Sequence, residues 1–300
     1  MKVAIAGSSG LIGTGLVAAL RSEGHEALRL VRRDTQERDE VRWDPARGQL
    51  DPADLEGVDA IVNLGGAGIG DKRWTPERRK EVLDSRVVPT RLLAETAAKL
   101  DPKPKVFLGG SAVGWYGYDT GDAVKTEADP RGHGFLTDLV AAWEQATHAA
   151  SEAGIRTVLL RTGIVQSTAG GALAKQLLPF KLGLGGRLGS GKQWVPWISL
   201  ADEVGAIELC LTNDQLEGPV NLTAPEPVTN AEFTRTLGRL VHRPTLIPTP
   251  TPALKVLFGD DMVREMLLGG TRAVPTKLQE AGFRWLHPTL EVALADILGS

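Results

Sequence analysis

Lys2-Val3-Ala4-Ile5-Ala6-Gly7-Ser8-Ser9-Gly10-Leu11-Ile12-Gly13 decides the fold. A short apolar run with strand character leads directly into G-x-x-G-x-x-G, and the glycines open an amphipathic stretch, Leu11–Glu23, with helical spacing. Strand, tight turn and helix in that order aim the helix N-terminus, with its free N–H groups and favourable dipole, at an anion. Gly7 permits the turn, Gly10 lets a pyrophosphate approach the backbone, and Gly13 lets helix and strand pack closely. A purely structural glycine turn would use the same residues. The position of the motif, directly after the first strand, favours a bound dinucleotide.

Working outward, further strands are expected at Ala27–Val31, Val41–Trp43, Ala60–Leu64, Lys105–Gly109 and Arg156–Leu160, with helices at Pro76–Leu100 and Phe135–Ala153. Nearly continuous apolar strands alternating with helices predict an α/β protein: a Rossmann-type doubly wound parallel sheet covered on both faces. Thr75-Pro76 reads as an N-cap followed by Pro at the first helical position. Pro89 is expected to break the helix it lies in, since it lacks an N–H and clashes with the preceding turn. After Gly163 the texture turns to Gly-rich loops and Pro-rich turns, yet Ala201–Leu211 still reads as a buried helix and Val220–Leu222 as a strand. Both are expected to return to the first sheet. The division is therefore interleaved: 1–165 plus about 200–224 as the dinucleotide-binding domain, and about 166–199 plus 225–300 as a smaller α+β substrate-side domain.

The chain has 300 residues with 34 basic and 37 acidic side chains, a net charge of -3, which gives no electrostatic footprint for nucleic acid or an anionic membrane. One cysteine, Cys210, precludes an intramolecular disulfide framework and is expected in the core; the five histidines have no metal-ligand spacing, so no metal is expected. The N-terminal apolar run is too short for a signal peptide or membrane span, which points to a cytoplasmic location. The expected partner is a small-molecule substrate, with the chain a monomer or homodimer.

The cofactor is read at the end of the second strand, where Leu28-Arg29-Leu30-Val31 runs into Arg32-Arg33. A carboxylate there would bind the ribose hydroxyl of NAD. Two guanidiniums can instead fork onto a 2′-phosphate, which favours NADP(H), although Asp34 follows and the pair could be a solvated strand end. Gly7, Ser8, Ser9, Gly10, Leu11, Ile12 and Gly13 are the expected cofactor cradle, and Leu64, Gly65 and Gly66 its second wall after the fourth strand.

With these residues the chain resembles the extended short-chain dehydrogenase/reductase superfamily, and within it the atypical, YfcH-like "epimerase family protein" branch. The resemblance runs over essentially the whole length. It is carried by Ala67–Trp74 (A-G-I-G-D-K-R-W), Ser111–Gly117 (S-A-V-G-W-Y-G), Leu160–Val165 (L-R-T-G-I-V), Leu178–Gly191, Pro196–Ser199, and the tail from Asn230-Ala231-Glu232-Phe233 to Glu280-Ala281-Gly282-Phe283. It implies an NADP-binding Rossmann domain with a small C-terminal domain closing over the nicotinamide end. It also implies a cleft wall in Leu182–Gly191 with Lys192, Trp194 and Trp197.

Catalytic members of that superfamily use a Tyr and a Lys four residues later, with a Ser holding the substrate oxygen. Neither tyrosine here, Tyr116 or Tyr118, has a Lys four residues on; the positions where the pattern places the pair are Leu136 and Val140, which cannot transfer a proton. Ser111, at the end of the fifth strand, and Tyr116 on the same loop remain as candidate catalytic residues, and Ser111 is also placed beside the cofactor. Tyr116 could equally be an aromatic buttress, and without a cationic neighbour its hydroxyl would keep a pKa near 10. Arg161, ending the sixth strand, is a candidate cofactor-side residue or one half of an ion pair with Glu144. Lys72-Arg73-Trp74 could cover an anionic substrate or be a solvated loop. Two functions follow: an NADP(H)-dependent oxidoreductase or epimerase-like enzyme, or a non-catalytic NADPH-binding or sensing protein.

Overall fold

The computed structural model describes residues 1–299. Its first half runs β1 (Lys2–Ala6), α1 (Leu11–Ser22), β2 (Glu26–Val31), β3 (Glu40–Arg42), β4 (Ala60–Asn63), α2 (Pro76–Ala97), β5 (Val106–Ala112), β6 (Asp119–Lys125), α3 (Phe135–Gln145), α4 (His148–Glu152) and β7 (Arg156–Thr162). Then come β8 (Ile164–Gln166), α5 (Gly171–Lys181), β9 (Trp194–Val195), β10 (Trp197–Ser199), α6 (Leu200–Thr212) and β11 (Gly218–Leu222). The chain closes with β12 (Val228–Thr229), α7 (Asn230–Leu240), α8 (Thr251–Phe258), α9 (Asp260–Met262), β13 (Gly270–Ala273), α10 (Thr276–Glu280) and α11 (Leu290–Leu298).

Among the described residues, seven strands form one sheet in the order β11-β7-β5-β4-β1-β2-β3. Every pairing in it is parallel. The chain starts in the middle at β1, builds outward through β2 and β3, then crosses back to β4, so the order reverses between β1 and β4. In open α/β sheets that reversal opens the ligand crevice. Helices cover both faces, as nearly continuous apolar strands require. Leu16, Leu20, Ile207 and Cys210 pack with Val3, Ile5, Val158 and Leu160 on one side. Leu93, Ala97 and Ala150 pack with Ala4, Ile61 and Phe107 on the other. Cys210 is thus in the core, and burial pushes its thiol up to about 12.

A third core gathers Leu173, Leu177, Phe180, Trp197, Phe233, Leu237, Leu290 and Leu294 from the segments flanking α6 and β11. We propose that these cores mark the interleaved units 1–165 with 200–224 and 166–199 with 225–300. Leu278, Phe283 and Trp285 cross over to pack on the large sheet.

Three expectations about local structure need correction. Thr75 caps α2, accepting from the Arg78 N–H at 3.2 Å, but the helix then runs unbroken through Pro89. The cost of an interior proline, about 3 kcal/mol, is offset because Val82 on one side of it and Leu93, Ala94 and Ala97 on the other are all buried. The Phe135–Ala153 stretch is instead divided into α3 and α4 at Ala146-Thr147, where the Thr147 hydroxyl donates to the Glu144 carbonyl at 2.8 Å. Trp197 belongs to the third core and is fully buried, so it is no cleft wall.

Candidate cofactor crevice and the buried network beside it

The β1–α1 turn fits a dinucleotide phosphate. Gly7 has φ +79°, and a Cβ there would lie 2.8 Å from the Gly65 nitrogen across the crevice. A Cβ on Gly13 would lie 2.2 Å from the Gly7 carbonyl oxygen, so α1 packs on the turn more closely than any side chain allows. At Gly10 the only neighbour is that same oxygen at 3.3 Å, and the turn is open in front of it. Gly10 caps α1 without a side-chain hydrogen bond, and among the described residues no acceptor takes the N–H groups of Leu11, Ile12 and Gly13. Open space before unsatisfied helix-terminal donors can receive an anion. Leu11 also meets the N-terminal end of α5 through Gly170 and Gly171, which brings the accessory region to the crevice mouth.

Leu64, Gly65 and Gly66 form the opposite wall. The Leu64 N–H donates to the Ala6 carbonyl at 2.9 Å, and the Gly65 N–H to the Asn63 side chain at 3.2 Å. At the end of β2 the two arginines part company. Arg33 is forked onto Glu40, at 2.8 and 2.5 Å, and this bond, with the N–H groups of Gln36 and Glu37, holds the Glu40 carboxyl at about 2. Arg32 is exposed and makes no ion pair among the described residues, while Asp34 turns to Arg42 at 2.8 Å. The expected fork of two guanidiniums on one phosphate therefore reduces to Arg32, because Glu40, brought in on β3, already neutralises Arg33.

Ser111, Tyr116 and Arg161 are brought together, though behind the crevice surface. Ser111 is 4% exposed and Tyr116 2%. The Ser111 hydroxyl donates to Glu144 at 2.6 Å, and Arg161 donates to both oxygens of the same carboxylate at 2.8 and 3.1 Å. Arg161 also donates to the Tyr116 oxygen at 3.2 Å, and the Tyr116 hydroxyl donates to the Asn221 side chain at 2.7 Å. The chain continues through the Asn221 N–H to Glu127 at 3.1 Å, and Glu127 accepts the Lys277 N–H at 3.2 Å. Tyr116 does have a cationic neighbour, contrary to the sequence reading. Burial nevertheless outweighs it and pushes the phenol up to about 12. Both hydroxyls spend their single hydrogen on protein acceptors. Leu136 and Val140 pack against Gly114 of the same loop, which leaves no proton-transferring group at those positions.

Two further groups escaped sequence reasoning. Glu203, on α6, is fully buried; it accepts from Thr162 at 2.8 Å, its second oxygen has no partner, and burial raises the carboxyl to about 8. Arg86, on α2, stands behind Gly66. Of the basic loop only Trp74 is buried, against Phe135 with ring centroids 5.0 Å apart; Lys72 and Arg73 are exposed and make no ion pair among the described residues, while the preceding Asp71 pairs with Lys175 of α5 at 2.6 Å. Among the described residues no group of three His, Cys, Asp or Glu side chains is gathered as a metal site, and no helix is long and apolar enough to cross a membrane.

Residues 3–222 match the NAD dependent epimerase/dehydratase family, and residues 249–297 match a domain of unknown function, DUF1731. An epimerase family protein of Mycobacterium bovis is 48% identical over 292 residues, covering 97% of this chain and 96% of that protein. The human epimerase family protein SDR39U1 is 36% identical over 301 residues, covering 99% and 100%. A crystal structure of the human protein with NADPH superposes with a TM-score of 0.91 at 34% identity, covering all of both chains. A Corynebacterium glutamicum structure, described as a nucleoside-diphosphate sugar epimerase, superposes with a TM-score of 0.82 at 33% identity and covers all of this chain but 58% of that one. The strand order, the glycine turn and these likenesses lead to one assignment: the chain belongs to the NAD-dependent epimerase/dehydratase family and carries the C-terminal DUF1731 domain.

Proposed function

We propose that this protein is an atypical short-chain dehydrogenase/reductase that binds NADP(H) in the β1/β4 crevice and acts as an oxidoreductase or epimerase-like enzyme on a small-molecule substrate. The observation that carries the reading is the open turn at Gly10 with the unsatisfied N–H groups of Leu11, Ile12 and Gly13 behind it. The human relative's NADPH supports the choice of cofactor. In this reading the cradle residues Gly7 to Gly13 hold the pyrophosphate, Leu64 to Gly66 close the opposite side, and Arg32 meets the 2′-phosphate. Bound there, the nicotinamide would supply or accept a hydride.

Arg32 alone sets the phosphate preference, so NADPH should bind about tenfold more tightly than NADH, roughly 1.4 kcal/mol. Arg32→Ala should remove most of that gap, while Arg33→Ala should act mainly on stability through Glu40. Titration calorimetry with both nucleotides decides the point; equal affinities in the wild type would refute the NADP assignment.

A second reading, a cofactor-binding protein without turnover, is favoured by the burial of Ser111 and Tyr116. General acid/base assistance is worth about 10²–10⁴-fold, and neither hydroxyl is free to give it. Turnover on aldehydes, ketones and quinones, followed by NADPH oxidation, is therefore expected to be slow. Whatever rate is found should survive Tyr116→Phe and Ser111→Ala to within about threefold, against the 10²–10⁴-fold loss expected of a true acid/base. A hundredfold loss in either variant, with its melting temperature preserved, would return that hydroxyl to the chemistry.

A further inference from the structure

Arg86 lies in the middle of α2 with its guanidinium between two walls. A Cβ on Gly66 would lie 2.9 Å from Cζ, and the Trp143 ring centroid is 5.1 Å away on another side. Trp143 in turn lies against Gly110, so the guanidinium stands at the carboxyl ends of β4 and β5. One nitrogen, Nη1, donates to the carbonyls of Ala67 and Val82 at 3.0 and 3.1 Å. Among the described residues no acceptor takes Nε or Nη2, and no carboxylate pairs with the charge. The nearest acids along the helix are engaged otherwise: Glu81 with Arg78 at 2.8 Å, and Asp84 with Lys80.

Arg78, two turns earlier, does not relieve the situation. It is nine-tenths buried, donates to the Gly68 carbonyl, and has a buried Nε with no partner. Burial first, and then repulsion from Arg78, brings the Arg86 guanidinium down to about 10. Arg86 is half-buried, and a partly desolvated cation without a counter-ion still carries a cost. If it served only to hold two carbonyls, a neutral amide would do so without that cost. Above the pair runs the Gly66–Trp74 loop, fastened to the accessory region by the Lys175–Asp71 ion pair and by Gly70 against Met266.

We infer that Arg86, backed by Arg78, holds an anionic group, a carboxylate or phosphate, carried by the small-molecule substrate of the crevice. The planar fork of Nε and Nη2 suits either anion. The inference rests on the reading of the crevice as a nicotinamide-cofactor site, and it names the substrate class for that site. The cofactor's own pyrophosphate is the alternative source of the same charge.

The test is calorimetric titration of inorganic phosphate and of malonate into the NADPH-saturated protein. At least one should bind the wild type, weaken about tenfold or more in Arg86→Gln, and be unchanged in Arg91→Gln on the exposed side of the same helix. Arg86→Lys keeps the charge without the fork, so it should bind the anion more weakly than the wild type. It also decides the matter if Arg86→Gln does not fold. No anion binding to the wild type, or equal binding in the Arg86 variants, overturns the proposal. So does a tenfold loss of NADPH affinity in Arg86→Gln with anion binding unaltered, which would give the guanidinium to the pyrophosphate. NADPH titration of the wild type comes first: if it fails, the cofactor reading falls, and the anion titration into the unloaded protein still judges Arg86.

Discussion

Gly13→Ala is expected to abolish NADPH binding and to destabilise the protein, whereas Gly10→Val is expected to abolish binding alone. The difference comes from two distances. A methyl group at Gly13 would be driven to 2.2 Å from the Gly7 carbonyl oxygen, so α1 must move off the turn. Such a backbone clash in a core element belongs with the larger destabilisations, about 3 kcal/mol or more. At Gly10 the nearest atom is 3.3 Å from the Cβ position, and the rest of a valine would point into the open space in front of the helix N-terminus. The free protein should therefore melt within a few degrees of the wild type. NADPH affinity should fall by about a hundredfold or more, roughly 2.7 kcal/mol. Circular dichroism melts with and without NADPH separate the two variants. Stabilisation of Gly10→Val by NADPH to the wild-type extent would mean that the phosphates lie elsewhere.

Glu203→Gln should stabilise the protein increasingly as pH rises. The buried carboxyl holds its proton up to about 8, against 4.5 for an ordinary glutamate. Between those values the folded state binds a proton that the unfolded chain has released, so wild-type stability from this group is full below the lower value and is lost as pH climbs through the upper one. Glutamine keeps an oxygen for Thr162 and never ionises. The variant's advantage should be small near pH 4.5 and grow to on the order of 4–5 kcal/mol above pH 8. Urea midpoints taken at about pH 5 and about pH 9 measure it. A gap between the two proteins that does not change with pH would show that Glu203 does not titrate in this window.

The β1–α1 turn, the parallel sheet and the return of β11 were legible because each rests on local pattern: apolar runs, glycine spacing and a capping Thr-Pro pair. What the sequence hid was pairing across distance. Arg33 looked as available as Arg32 until β3 delivered Glu40 beside it. Ser111 at a strand end and Tyr116 on the following loop stood as candidates for the chemistry, whereas Glu144, Arg161 and Asn221, from three other elements, enclose their hydroxyls. Arg86 gave only the faint signal of a cation followed by Val87 and Val88 within a helical stretch. Its lack of a counter-ion is a property of the surroundings, and no spacing rule reports it. Pro89 failed in the other direction: a local rule was overridden by the burial of both halves of α2.

The position of β11 has a consequence for how the molecule is made. β7 is the neighbour of β5 and would be the edge of the sheet, but its outer partner is synthesised only after everything from Ile164 to Glu217 has emerged. Closing so long a loop is slow compared with forming a hairpin. During synthesis at the ribosome, the nucleotide cradle at the N-terminus is therefore complete in sequence long before its sheet is complete in space. In that interval the outer edge of β7 presents unpaired N–H and C=O groups to any other chain. The edge of β7 therefore stays open between the emergence of residues 162 and 222, an interval in which a chaperone would have a sheet edge to protect.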